Sequence, residues 1–205
     1  RLISLIGIAM PAFWIGILLQ LWISSGLRLL PVIGRLEFGI ESPSQITGLY
    51  LIDSLITGNF VAFSNSFEHL LLPAFTLSLP ALANISRLVR STMIDQRSKD
   101  YTQTAISYGL PFRLITYKYM LRNAMIPTVA FIAALYPVSL GSAVLVEAVF
   151  SWPGLGTYLV DSIYTKDIPA IGGSVIVIGT MVVFFNFIAE LAYGYLDPRI
   201  RSGEK

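Results

Sequence analysis

Residues able to carry out covalent chemistry are scarce in this chain. Its 205 residues include no cysteine and a single histidine, His69. A disulfide framework, a thiolate nucleophile or metal site, and a multi-histidine metal centre are therefore excluded. Aspartate is absent from every long apolar stretch, and His69 lies outside them, so an intramembrane enzyme would lack both a serine–histidine pair and paired aspartates. What remains is recognition chemistry, concentrated in the largest basic block, Asp100 to Pro127, DYTQTAISYGLPFRLITYKYMLRNAMIP. Its spacing predicts two short helices with a sharp break between them. Asp100 is the expected N-cap, with Gln103 three residues on. Gly109 supplies a left-handed stop, and Pro111 suits the first turn of the next helix. Thr102, Ala105, Ile106 and Gly109 fall at i, i+3, i+4 and i+7, a narrow face of small and mildly apolar residues that can sit close against another protein.

The elements that hold this block are apolar. Hydrophobic residues make up 55% of the chain and charged residues 13%, which is the composition of a membrane protein. Four windows contain no Asp, Glu, Lys or Arg: Leu2–Leu27, Leu70–Ser86, Ala124–Val146 and Ile168–Ala189. Each is long enough, or nearly so, to cross the ~30 Å hydrocarbon layer as a helix of about 20 residues. Leu88 and Val89 extend the second while Arg87 and Arg90 reach for the interface. Uniformly apolar runs do not suit barrel strands, which alternate with period two. The expected class is therefore all-α, a polytopic helical membrane protein in one domain, with spans at about 2–25, 69–90, 123–147 and 170–193.

Charge orients these spans. With Arg1 inside, the inside set also holds Arg87, Arg90, Arg97, Lys99, Arg113, Lys118, Arg122, Arg199, Arg201 and Lys205, which is 11 of the 14 basic residues. Only Arg28, Arg35 and Lys166 remain outside, as the positive-inside rule favours. The region 96–122 and the C-terminal tail are thus expected in the cytoplasm. A helix-turn-helix nucleic-acid binder fails as a reading of Asp100–Arg122, because both helices are tethered between spans and lack a base-reading face. A membrane scaffold whose basic loop attracts anionic headgroups is a further alternative.

Other polar positions read two ways. Asn84 and Asn186 either line a pathway or bond between helices. Glu190, near the inner interface, is expected to form a salt bridge or a solvated helix end. His69, beside Glu68, is either an ion or substrate contact or a cap on a helix end. Ile46–Thr57 is expected to form a short amphipathic helix at the membrane surface, with Leu49, Ile52 and Ile56 on one side, or a lid packed on the spans. Pro153-Gly154-Leu155-Gly156 turns the chain ahead of a short helix over Thr157–Thr165. Pro80, Pro127 and Pro137 fall inside expected spans, where each removes a backbone donor.

Taken in order, these segments resemble a known family, the integral membrane subunits of binding-protein-dependent ATP-binding-cassette importers, in the dipeptide and oligopeptide permease branch. The resemblance runs through SLIGIAMPAFWIG (Ser4–Gly16), LPVIGR (Leu30–Arg35), YTQTAISYGLP (Tyr101–Pro111), LRNAMIP (Leu121–Pro127), EAVFSWPGLG (Glu147–Gly156) and YGYLDPRIR (Tyr193–Arg201). It implies a type I importer permease (MetI-like) bundle with four of its usual six spans in view, so that the chain starts at the third. It implies no ATPase chemistry and no cofactor in this chain, with ATP and Mg held by two separate ATP-binding subunits. Further implied partners are a second homologous permease subunit, an extracytoplasmic solute-binding protein and membrane lipid. The solute would be a dipeptide, an oligopeptide or, as an alternative, nickel or another metal chelate. The family's coupling helix, which docks on the ATPase, maps to Asp100, Thr102, Gln103, Thr104, Ala105, Ile106 and Gly109. Wider relatives carry Glu-Ala-Ala, three residues, then Gly; here the matching positions are Gln103, Thr104, Ala105 and Gly109, with glutamine in the acidic place.

Overall fold

The computed structural model describes residues 10–196. Arg1 and the tail from Asp197, and with them part of the expected first span and of the inside charge, lie outside the described residues. Those described form helices joined by loops, with no strand among them. In chain order these are α1 (Ala12–Gly26), α2 (Tyr50–Thr57), α3 (Phe60–Arg97), α4 (Asp100–Ser107), α5 (Phe112–Val149), α6 (Leu155–Tyr164) and α7 (Ile168–Leu196). The last turns of α1, Gln20–Gly26, and an early stretch of α5, Ile115–Met120, are π-helical.

Among the described residues three helices are long and apolar enough to cross a membrane, α3, α5 and Ile168–Leu191 of α7. The 15-residue α1 is the described part of the expected first span. At 38 residues α3 is roughly 57 Å long, well beyond the ~30 Å hydrocarbon layer. It therefore starts before, and ends after, the expected span at 69–90. The second short helix expected within Asp100–Pro127 is instead the opening of α5, which continues without a break through Pro127 and Pro137. Large apolar side chains are exposed along these helices, among them Phe60, Phe75, Val138, Ile176 and Phe184. Water would expel such a surface; hydrocarbon solvates it.

The residues pack into two units. Among the described residues, one contains 81–138 and 176–196, and the other contains 10–80 with 139–175. In the first, Ala105, Ile115 and Met120 form a small buried core flanked by Met93 and Leu110. In the second, Leu72, Val146 and Phe150 form the core, with Ala12, Leu19, Ile23, Leu30 and Trp152 packed around it.

Four helix ends share one lock. After α2, α4, α5 and α6 a left-handed residue follows, Gly58, Gly109, Ser151 and Lys166 respectively. In each case its N–H bonds the carbonyl three residues back, and the next N–H reaches five residues back. The pairs are Gly58 to Leu55 with Asn59 to Ser54, Gly109 to Ile106 with Leu110 to Ala105, Ser151 to Ala148 with Trp152 to Glu147, and Lys166 to Ile163 with Asp167 to Ser162. This motif satisfies carbonyls that a helix end otherwise leaves open. Asn59 then starts α3 directly, its side-chain oxygen accepting from the Ala62 N–H at 3.0 Å.

Candidate functional site

The sequence singled out Asp100–Gly109, and the structure shows how that segment is built. Two residues, Ser98 and Lys99, separate α3 from α4. Lys99 occupies the cap position and Asp100 is the first helical residue, with no side-chain cap bond. That corrects the expected N-cap. Its physical reason is that α4 tucks back on α3 and stitches itself to the open carbonyls there. Thr102 Oγ1 donates to the Gln96 carbonyl at 2.8 Å, and Gln103 Nε2 donates to the Arg97 carbonyl at 3.1 Å. The Tyr101 hydroxyl bonds the Gln96 side chain.

Gln103 acquires a reason from this contact. Its amide donates to a carbonyl, which an ionised glutamate cannot do because it only accepts. The glutamine standing at the acidic place is therefore fitted to a local helix-to-helix bond.

Of the seven positions expected on the docking face, Thr102 and Ala105 are buried within this chain at 1% and 7% exposure. They face Met93, Ile115, Met120 and Leu110 or the end of α3, and so serve as the seat of α4. Asp100, Gln103, Thr104, Ile106 and Gly109 are exposed, and Tyr101, Ser107 and Tyr108 join them on the outward side. Gly109 has φ +69°, and a Cβ built there meets nothing within 4 Å. Its side of α4 is open, while its backbone form disfavours any other residue.

The polar groups expected on the outer side fall into a different arrangement. Asp53 is fully buried and gathers the chain before α2: its carboxylate accepts from the N–H groups of Ile46, Thr47 and Gly48 at 3.3, 2.8 and 3.0 Å and from the Thr47 hydroxyl at 2.7 Å. The short helix therefore begins at Tyr50 and not at Ile46. Burial pushes the Asp53 pKa up, but the Thr47 hydroxyl and the three amides outweigh it and hold the carboxyl below the ordinary 3.8. On α2 the polar Asp53 and Ser54 point in, and Leu49, Ile52, Leu55 and Ile56 are exposed.

The loop after α1 is pinned from several directions. Gln20 Nε2 donates to the Val32 and Val149 carbonyls, Ser24 to Pro31, and the Gly34 N–H to the Phe150 carbonyl. The Glu37 N–H donates to Asn65 Oδ1 at 2.8 Å, and the Arg35 guanidinium lies 4.2 Å over the Tyr50 ring. His69 is well inside α3, buried, and does not cap a helix end. Its Nδ1 lies 2.8 Å from the Asn65 carbonyl, which fixes Nδ1 as the donor because a carbonyl can only accept. With Arg28, Glu37, Asn65 and Glu68 it lines a cavity of about 630 Å³.

The Pro-Gly-Leu-Gly turn is explained by one carboxylate. Glu147 on α5 accepts from the Thr157 N–H at 2.7 Å, at the start of α6. A Cβ on Gly154 would sit 2.2 Å from Glu147 Oε1, and one on Gly156 would sit 2.9 Å from Glu147 Oε2 and 2.6 Å from Val144. Only glycine admits this approach. The helix starts at Leu155, two residues earlier than expected, because Gly154 caps it by exchanging bonds with Thr157.

The two asparagines expected in the spans part company. Asn84 is half-buried in α3. Asn186 is exposed on α7 and, with Ala130, Ala133, Ala134, Ala189, Glu190 and Gly194, lines a cavity of about 550 Å³. Glu190 is exposed and forms no ion pair among the described residues, in keeping with the solvated alternative; the basic residues of the tail lie outside them.

This architecture agrees with what the chain is similar to. Residues 1–202 match the family described as binding-protein-dependent transport system inner membrane component. The chain is 40% identical over 203 residues to the probable D,D-dipeptide transport system permease protein DdpB of Escherichia coli, covering 99% of this chain and 60% of that protein. It is 42% identical over 200 residues to the dipeptide transport system permease protein DppB of Haemophilus influenzae, at 97% and 59% coverage. Over 197 residues it is 34% identical to the oligopeptide transport system permease protein AppB of Bacillus subtilis, at 96% and 56% coverage. The chain thus spans about 60% or slightly less of the length of these relatives. Its apolar helices and this similarity make the chain a member of the inner membrane components of binding-protein-dependent transport systems, with their all-α, MetI-like permease fold.

Proposed function

We propose that this chain is the permease subunit of an ATP-driven importer of dipeptides or oligopeptides, and that α4 is the element through which a separate ATPase moves it. The observation that carries the reading is the form of α4. Eight residues are seated by Thr102 and Ala105, stitched to α3 by Gln103, closed by Gly109, and left exposed on the other side. An exposed helix with so firm a seat transmits a push to the long helices at both of its ends. The relatives' names, which are those of peptide carriers, favour peptides over nickel or another metal chelate.

In this reading the partners are a second homologous permease subunit, two ATP-binding subunits that hold ATP and Mg, and an extracytoplasmic solute-binding protein. The chain lies in the cell membrane with 96–122 and the C-terminal tail in the cytoplasm, where its basic residues concentrate. The docking contact is made by Asp100, Gln103, Thr104, Ile106 and Gly109, while Thr102 and Ala105 act from beneath. Reconstitution with these partners tests the proposal. Labelled dipeptide should accumulate in proteoliposomes in an ATP-dependent way, and Gly109→Arg should abolish solute-stimulated ATPase while the subunit still inserts in the membrane. Unchanged coupling in that variant would remove α4 from the contact.

A further inference from the structure

We propose that Asn186 and Glu190 form a cation-favouring wall of the permeation pathway, over which the ammonium group of a peptide passes. This rests on the permease reading above. The two residues are spaced i, i+4 on α7, so they share one face of the helix. Both lie within Ile168–Leu191, the segment long and apolar enough to span, and both are exposed. Neither has a side-chain partner among the described residues. Across from them α5 presents Ala130, Ala133 and Ala134, which leave the cavity of about 550 Å³ open where larger side chains would close it.

The opposite face of α7 is apolar and exposed at Phe184, Ile188 and Leu191. The helix therefore has two solvents. Hydrocarbon suits the aromatic face, but a carboxylate and a carboxamide need water or a polar partner, and a charge within a span faces a wet cavity. A carboxylate in a narrow space between low-dielectric walls attracts cations and repels anions. A peptide's free amino terminus, or a lysine side chain, supplies the matching charge.

The absence of cysteine from these 205 residues permits a direct test. Asn186→Cys and Ile188→Cys are placed singly in the assembled transporter, with its other subunits freed of reactive cysteine. Charged, water-soluble methanethiosulfonates should modify Cys at 186 and leave Cys at 188 largely unmodified. The trimethylammonium reagent should outpace the sulfonate reagent at 186 by roughly fivefold beyond their ratio with a free thiol, as a nearby negative charge predicts. Adding Glu190→Gln should erase that excess. If Asn186→Cys does not assemble, Ala189→Cys on the same cavity reports in its place.

Peptide transport supplies the second readout. Glu190→Lys should slow uptake of a lysine dipeptide more than of a glutamate dipeptide, each compared with wild type. The same binding protein delivers both, so the ratio isolates this subunit. Unreactive cysteine at 186 and 189, or a reagent ratio indifferent to Glu190→Gln, overturns the proposal; if wild-type uptake is normal, the permease reading survives. Absence of peptide uptake by the wild-type assembly overturns the permease reading itself.

Discussion

At the scale of single residues, charge state and donor identity decide the local structure. Gln103→Ala removes one bond to the Arg97 carbonyl, at a cost of about 0.5–1.5 kcal/mol. Gln103→Glu should cost more, since a carboxylate placed against the carbonyl end of α3 is repelled there. Thermal unfolding of the assembled complex should rank glutamine above alanine and alanine above glutamate; a glutamate variant as stable as wild type would contradict the assigned bond. Asp53 makes the loop before α2 acid-sensitive. Its folded pKa lies below the unfolded value of 3.8, so its stabilisation is fully present above that value and is lost as pH falls through the lower folded pKa. Exchange protection of the Thr47 and Gly48 amides, corrected for intrinsic rate, should therefore persist at pH 5 and fail in stronger acid. Asp53→Asn should flatten that dependence. Neither role was legible beforehand. A glutamine at a motif position and an aspartate in a loop look alike whether they bind a partner or their own backbone, because contacts with a carbonyl or an amide carry no pattern in side-chain type.

At the scale of elements, the chain reports its breaks well where glycine marks them and poorly where it does not. Gly109 was read correctly as a left-handed stop, whereas Ser151 and Lys166 adopt the same conformation without a glycine to announce it. The helices α3 and α5 outrun the expected spans for a related reason: charged turns look like loops when hydropathy alone is followed, yet they continue the helices past the apolar windows. Gly109→Ala should destabilise α4 by about 1 kcal/mol through backbone strain, with Gly109→Asn milder, because nothing crowds the site. Hydrogen exchange at Leu110 would measure both. Gly156→Ala is a different case, because its Cβ would meet Val144 and Glu147 at less than 3 Å. Overpacking of that kind costs roughly 1–3 kcal/mol. It should lower the melting temperature and free α6 to protease, and an unperturbed variant would show that α6 does not rest on α5 through this contact.

At the scale of the whole molecule, composition and window length already indicated an all-helical membrane chain, and the order of short segments indicated its family. What the sequence did not show was which side of each helix meets which neighbour. The small seat residues Thr102 and Ala105 looked like a surface for a partner because small residues suit any close contact, internal or external. Orientation is open to experiment through the same cysteine-free background. Lys99→Cys should react with impermeant reagents only from the cytoplasmic side and Lys166→Cys only from the outside, as the basic residues require; the reverse pattern would invert the topology. One more consequence follows from α2, which encloses Asp53 and Ser54 and displays leucine and isoleucine. A helix turned inside out in this way has no stable form against water, so its integrity belongs partly to whatever amphiphile surrounds it. Extraction into a short-chain detergent should expose the 46–58 segment to nicking, and transfer into a nanodisc should restore resistance. For this loop the choice of detergent acts as a mutation would.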